Sequence, residues 1–191
     1  MLPEMIEADR FRLRPFRLSD ASDVFEYARD ETWLQYLPVP SPYSLQDAER
    51  FLANQILLDW QLNPSWAIEV GGKASGGLNI RFFAEHRVSE IGYAVARRLW
   101  GRGIATEAAG IVIASAFETY PTLKKVRARA DARNLASIRV MEKLGMTREG
   151  LLRDDRLNRG ELIDEVIYGL LRSEWRNEAL PAGRARRTSR I

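Results

Sequence analysis

Residues 90–118 read E-I-G-Y-A-V-A-R-R-L-W-G-R-G-I-A-T-E-A-A-G-I-V-I-A-S-A-F-E. The first six residues mix β-branched, aromatic and small side chains, as a strand does. Gly101 and Gly103 then frame Arg102, and nearly every side chain from Gly103 to Phe117 is small or apolar. A helix that is apolar on all sides is buried on most of them. The stretch is therefore strand, tight turn and buried helix. Glycines let a backbone approach a ligand closely. The first-turn N–H groups of the helix lack intrahelical partners, and its dipole favours an anion there. Phosphate is the expected guest, and Arg97, Arg98 and Arg102 add charge around the turn.

Two phosphate-loop patterns are excluded. Thr106 stands where G-x-G-x-x-G needs its third glycine, and no Gly-Lys-Ser/Thr follows for a Walker A loop. The string W-G-R-G-I-A-T-E-A does resemble the pyrophosphate loop of the GNAT superfamily of N-acetyltransferases. In that family Gln or Arg is followed after two residues by Gly, and then by Gly or Ala. Here Trp100, Gly103 and Ala105 hold those places. Tryptophan at the first place is common in the Rim-type branch, the ribosomal-protein N-terminal acetyltransferases and their relatives.

Working outward, R-F-R-L-R-P-F over 10–16 alternates and reads as a half-buried strand. Ser19 is an expected N-cap for a helix towards Tyr27. Residues 31–43 carry Trp33, Tyr36 and three prolines, which predict a rigid extended connection. Ser44 with Asp47 predicts a capping box for a second helix, with Phe51, Ile56, Leu58 and Trp60 as its apolar cover. Strands follow at 66–70 and 76–83 around Gly71-Gly72, a hairpin signal. Downstream, K-V-R-A-R-A over 125–130 predicts another strand. D-A-R-N-L-A-S-I-R-V-M-E-K-L-G-M predicts a helix closed by Gly145. Two last strands at 147–157 and 161–171 flank Asn158-Arg159-Gly160. There is no internal repeat and no linker. One domain over 1–180 is the expectation, followed by a basic, disordered tail over 181–191 that carries Arg184, Arg186, Arg187 and Arg190.

The family resemblance spans roughly residues 8–176. Its further motifs are G-G-L-N-I at 76–80, the Asn134-to-Met146 helix, and the closing D-E-V-I-Y with R-S-E-W. It implies an α/β (α+β) fold: a mixed central sheet of about seven strands with helices on both sides. Two neighbouring parallel strands, 89–95 and 125–130, would splay apart and hold acetyl-CoA between them. The backbone of Tyr93, Ala94 and Val95 would bond the pantetheine amides, and one N–H there would stabilise the developing oxyanion. Trp100, Gly101, Arg102, Gly103, Ile104, Ala105 and Thr106 would form the diphosphate turn. Asn134 and Ser137 share a helical face with Met141, a face that would look at the cofactor. Trp33 and Tyr36 would contact the acceptor.

The implied reaction moves an acetyl group to a primary amine. An α-amine, with a pKa of about 7.7–8.0, needs far less help from a base than a lysine at about 10.4. Glu90 is the candidate base, acting through water; a surface ion pair is its alternative role. Many family members protonate the leaving thiolate with a tyrosine seven residues after the Asn. Met141 stands there and cannot donate, so Ser137 is the named substitute, its alternative role being a hydroxyl that touches pantetheine. The acceptor is expected to be a protein N-terminus, such as that of a ribosomal protein. A small amine and a non-catalytic acyl-CoA regulator are the alternatives.

Composition bounds the rest. Forty-six per cent hydrophobic and 29% charged residues are ordinary for a soluble globular chain. No apolar run is long enough for a membrane span, and the N-terminus shows no secretory signal. Zero cysteines exclude a thiol nucleophile and fit the cytoplasm. A single histidine, His86, excludes a histidine-rich metal site, so no metal is expected. Without the four tail arginines the net charge of +3 falls close to neutral, so nucleic-acid binding is expected only through the tail. Monomer and homodimer are both compatible with the sequence.

Overall fold

Alternation of apolar and polar side chains builds the N-terminal half of one continuous sheet. The computed structural model describes residues 1–175 of the chain; the expected tail and the end of the expected domain lie outside them. The strands are β1 (Ile6–Glu7), β2 (Arg12–Pro15), β3 (Ser65–Val70), β4 (Lys73–Phe83) and β5 (Val88–Val95), then β6 (Lys125–Asp131), β7 (Thr147–Asn158) and β8 (Glu161–Leu171). Their spatial order is β1-β2-β3-β4-β5-β6-β8-β7. All neighbours are antiparallel except β5 and β6. The sheet thus has eight strands where about seven were expected. The extra one, β1, is a two-residue pairing of Ile6 with Leu13 and Glu7 with Arg12, too short for alternation to signal.

Helices cover both faces. On one, α4 (Ile104–Thr119) buries ten of its residues against Leu13, Ile68, Ile80, Ile91 and Val126. Met141 of α5 (Leu135–Lys143) joins the same core. On the other, α1 (Ala21–Ala28), α2 (Glu31–Leu34) and α3 (Leu45–Ile56) pack Val24, Leu34 and Leu52 over Phe16, Ala67 and Ala96. No helix among the described residues is long and apolar enough to cross a membrane.

Three local expectations are corrected. Ser19 is not a cap; it lies inside a 3-10 turn, Leu18–Asp20, that leads into α1. Asp20 does the capping, because its carboxylate accepts the Arg17 N–H while holding the buried Arg14 guanidinium by two bonds of 2.8 Å. Residues 31–43 are not wholly extended, since Asp30 accepts the N–H groups of Thr32 and Trp33 and so nucleates the single turn of α2. The cover of α3 is narrower than expected: Ala48 and Leu52 are buried, whereas Ile56 and Leu58 are exposed. The Ser44–Asp47 capping box forms as read.

Candidate active site

The parallel pairing of β5 with β6 ends early. Val88, Ser89 and Glu90 lie opposite Lys125, Val126 and Arg127, and no register continues beyond them. β6 instead goes on pairing with β8 as far as Asp131 and Glu165. A V therefore opens between residues 91–95 and 128–131. The Ala96 N–H bonds the Ser75 carbonyl of β4. By strand alternation the peptide groups of Ala94 also turn towards β4, while those of Tyr93 and Val95 face the V. Ala94 thus leaves the open edge to its two neighbours.

The Val95 carbonyl is already engaged. Indole Nε1–H of Trp33 donates to it at 3.0 Å and that of Trp100 at 2.9 Å. Trp33, read as an acceptor contact, also packs edge-on against Tyr27. It ties the α2 turn to β5 rather than standing free in the cleft. Tyr36 is half-buried.

At the far end of β5 lies the glycine turn. Gly101 and Gly103 have φ of 72° and 75°, the left-handed region that favours glycine. Gly103 is the N-cap of α4 and its carbonyl accepts the Glu107 N–H at 3.0 Å. The N–H groups of Ile104, Ala105 and Thr106 therefore form the free first turn. Arg102 is exposed beside them. A brace that the sequence did not reveal holds the turn: Arg10 donates to the Arg102 carbonyl at 2.7 Å and, through Nε at 3.0 Å, to the buried Glu107 carboxylate.

On the α5 side, Asn134 is the N-cap, its Oδ1 accepting the Ser137 N–H at 3.1 Å. Its amide NH2 makes no hydrogen bond among the described residues and is free for a ligand. The Tyr93 phenol lies 3.2 Å from both the Ser137 carbonyl and the Ser137 Oγ. Burial pushes this phenol up to about 12, against the lowering effect of Ser137. Tyr93 was read for its backbone alone; the contact of its side chain joins residues 44 apart.

Glu90 sits at the apex of the V. Its Oε2 accepts Arg127 Nε at 2.8 Å, and Arg129 and Arg81 stand at 3.5 and 3.6 Å. The ion pair foreseen as its alternative role is present, yet Oε1 accepts no hydrogen bond among the described residues. Asp131, 1% exposed, is the last residue of β6, on the side of the V away from its apex. Burial raises its pKa, but the Arg133 guanidinium and backbone N–H outweigh this and hold it below the usual range. A depressed folded pKa gives stability that is present above the unfolded pKa of about 3.9 and lost as pH falls through the folded value. Asp131→Asn is therefore expected to cost about 1.5–3 kcal/mol at pH 7. The gap should narrow as pH falls below about 3.9 in parallel denaturation curves; a gap constant with pH would refute the charge argument.

Comparison with known proteins agrees with this geometry. Residues 10–147 match the family described as acetyltransferase (GNAT) domain. An uncharacterized N-acetyltransferase, p20, of Bacillus licheniformis is 29% identical over 176 residues, covering 90% of this chain and 98% of that one. "Putative ribosomal N-acetyltransferase YdaF" of Bacillus subtilis is 39% identical over 93 residues, about half of each chain. The crystal structure of a GNAT-family acetyltransferase from Bacillus anthracis superposes with a TM-score of 0.78 at 26% identity, covering 89% of this chain and 99% of that one.

Proposed function

The chain belongs to the GNAT acetyltransferase family, and from that premise we propose that it acetylates the N-terminal α-amine of a protein or peptide with acetyl-CoA. The observation that carries the reading is the V between β5 and β6 with the Gly101–Gly103 turn at its end. The likeness over half the chain to the protein named "Putative ribosomal N-acetyltransferase YdaF" supports a protein acceptor. Acetyl-CoA supplies the acetyl group as a thioester. The N–H groups of Ile104, Ala105 and Thr106 hold its diphosphate, with Arg102 alongside. The open peptide groups of Tyr93 and the N–H of Val95, whose carbonyl is held by the two indoles, take the pantetheine amides, and an N–H of this edge stabilises charge on the reacting carbonyl oxygen.

Two protons must then be handled. The attacking amine loses one, and Glu90 Oε1, which accepts no hydrogen bond among the described residues, takes it through water. The departing sulfur gains one, which Ser137 Oγ delivers while taking a replacement proton from solvent. With the Tyr93 phenol as donor in its 3.2 Å contact with Ser137 Oγ, a contact in which either oxygen can donate, the serine hydrogen is free to point into the V. Zero cysteines suit a reducing cytoplasm.

The test compares two peptides, one with a free N-terminus and its lysine blocked, the other with the reverse. The first is expected to be acetylated, its rate rising with pH through about 7–8 as the α-amine loses its proton. Preference for the lysine peptide would refute the reading. Transfer only to small amines would refute it in favour of a metabolite acceptor.

A further inference from the structure

The helices restrict how an amine reaches the V. One face, bearing Ile91 and Val95, is closed by α4 and its core. On the other, α1 and α3 lie over Ala67, Ala74 and Ala96 and leave Glu90, Gly92 and Ala94 half-exposed. An acceptor therefore enters over the face that carries Glu90, Arg127 and Arg129.

That face has donor capacity to spare. A guanidinium has five N–H donors in a planar fork matched to carboxylate or phosphate. Arg129, a third exposed, reaches Glu90, Asp155 and Glu165 only at 3.5–3.8 Å. Among the described residues it donates no hydrogen bond, and neither does Arg81. Arg127 uses Nε alone, on Glu90. The ring of Phe83 keeps the Arg81 and Arg127 guanidiniums at 4.6 and 5.1 Å from its centroid, which aims them without occupying their N–H groups. Within this ion-pair network four arginines, including Arg156, meet three carboxylates. One positive charge is left over beside the point where the amine must arrive.

We infer that the acceptor carries a carboxylate close to its reacting amine, and that Arg129, backed by Arg127, binds it. The inference rests on the α-amine reading above and names the acceptor class. Two sources have this chemistry: an acidic side chain directly after a peptide's N-terminal residue, and the carboxylate of a free amino acid. Glu90 faces the ammonium and Arg129 the carboxylate, so the amine is oriented by charges of both signs.

The experiment measures kcat/KM on C-terminally amidated peptides Ala-Asp, Ala-Gly and Ala-Lys with otherwise identical sequence, and on free alanine against alaninamide. Binding of the N-acetylated peptides is followed by calorimetry in parallel. The Asp peptide is expected to exceed the Gly peptide by about tenfold, the scale of one added charge-assisted contact, and the Lys peptide by more. Alanine exceeding alaninamide, with no ranking among peptides, would assign the carboxylate to an amino acid. Arg129→Gln should erase the preference. Arg129→Glu should invert it towards the Lys peptide, a gain that only a folded enzyme can show. Equal rates on all three peptides and on both alanine forms would overturn this inference alone. Transfer to lysine side chains and to no α-amine would overturn it together with the reading beneath it.

Discussion

Gly103→Val is expected to yield a folded protein that acetyl-CoA no longer stabilises. A Cβ added at Gly103 would meet only Arg10 Nη2, at 3.8 Å, so the interior has room for it. On the proposed reading the diphosphate sits against the Ile104, Ala105 and Thr106 N–H groups, and the valine methyls crowd that turn. A left-handed φ of 75° costs an L-residue about 1–2 kcal/mol. That lowers the melting temperature without removing a stability of about 5–15 kcal/mol. The parent, at a ligand concentration a hundredfold above Kd, should gain about 2.7 kcal/mol, read as a rise in melting temperature. The variant should gain nothing. Gly103→Ala carries the same φ strain with one methyl and should retain part of the gain. Equal stabilisation of parent and valine variant would remove the turn from the binding site.

What was legible in the sequence was what local chemistry writes. The Gly-Arg-Gly turn and the apolar run that follows it mark β5, the turn and α4 within one stretch, because glycine freedom and burial are both properties of consecutive residues. The Ser44–Asp47 box lies three residues apart and forms as read. The Asp30 cap of α2 was equally local, and the prolines that follow it drew the reading towards an extended chain. Ser19 lost its role to Asp20 because the Asp20 carboxylate is also anchored by the buried Arg14, six residues back on β2, a pairing that cap preferences alone do not weigh.

The candidate site was less legible, because its decisive contacts join distant residues. Trp33 reaches Val95 across 62 positions, Arg10 reaches Glu107 across 97 and Tyr93 reaches Ser137 across 44. Each side chain was visible, but its partner was not. The arginines of β6 alternate with Val126, Ala128 and Ala130, which identified a strand with one buried face. Only the register of β5 with β6 reveals that the arginine face borders the opening of the V.

Ser137→Ala is expected to lower kcat by about 10²–10⁴-fold, the usual contribution of a positioned proton donor, with little change in the KM for acetyl-CoA. The argument starts from the thiol, whose pKa of about 8.5 makes its anion a tolerable but improvable leaving group. Met141 carries no proton to give, and it is fully buried. Ser137 has the hydroxyl on this face of α5, with the Tyr93 phenol 3.2 Å from its Oγ. Because burial pushes that phenol up to about 12, Tyr93 keeps its proton at every pH from 7 to 10 and donates throughout. Tyr93→Phe should therefore lower kcat by a smaller factor that stays constant over that range. A factor that shrinks as pH rises towards 10 would show the phenol itself titrating, against its placement. The loss in Ser137→Ala should itself diminish with an acetyl thioester of a more acidic thiol, whose anion needs no proton to leave. An Ala variant with unchanged kcat on acetyl-CoA would return Ser137 to a hydroxyl that merely touches the pantetheine arm.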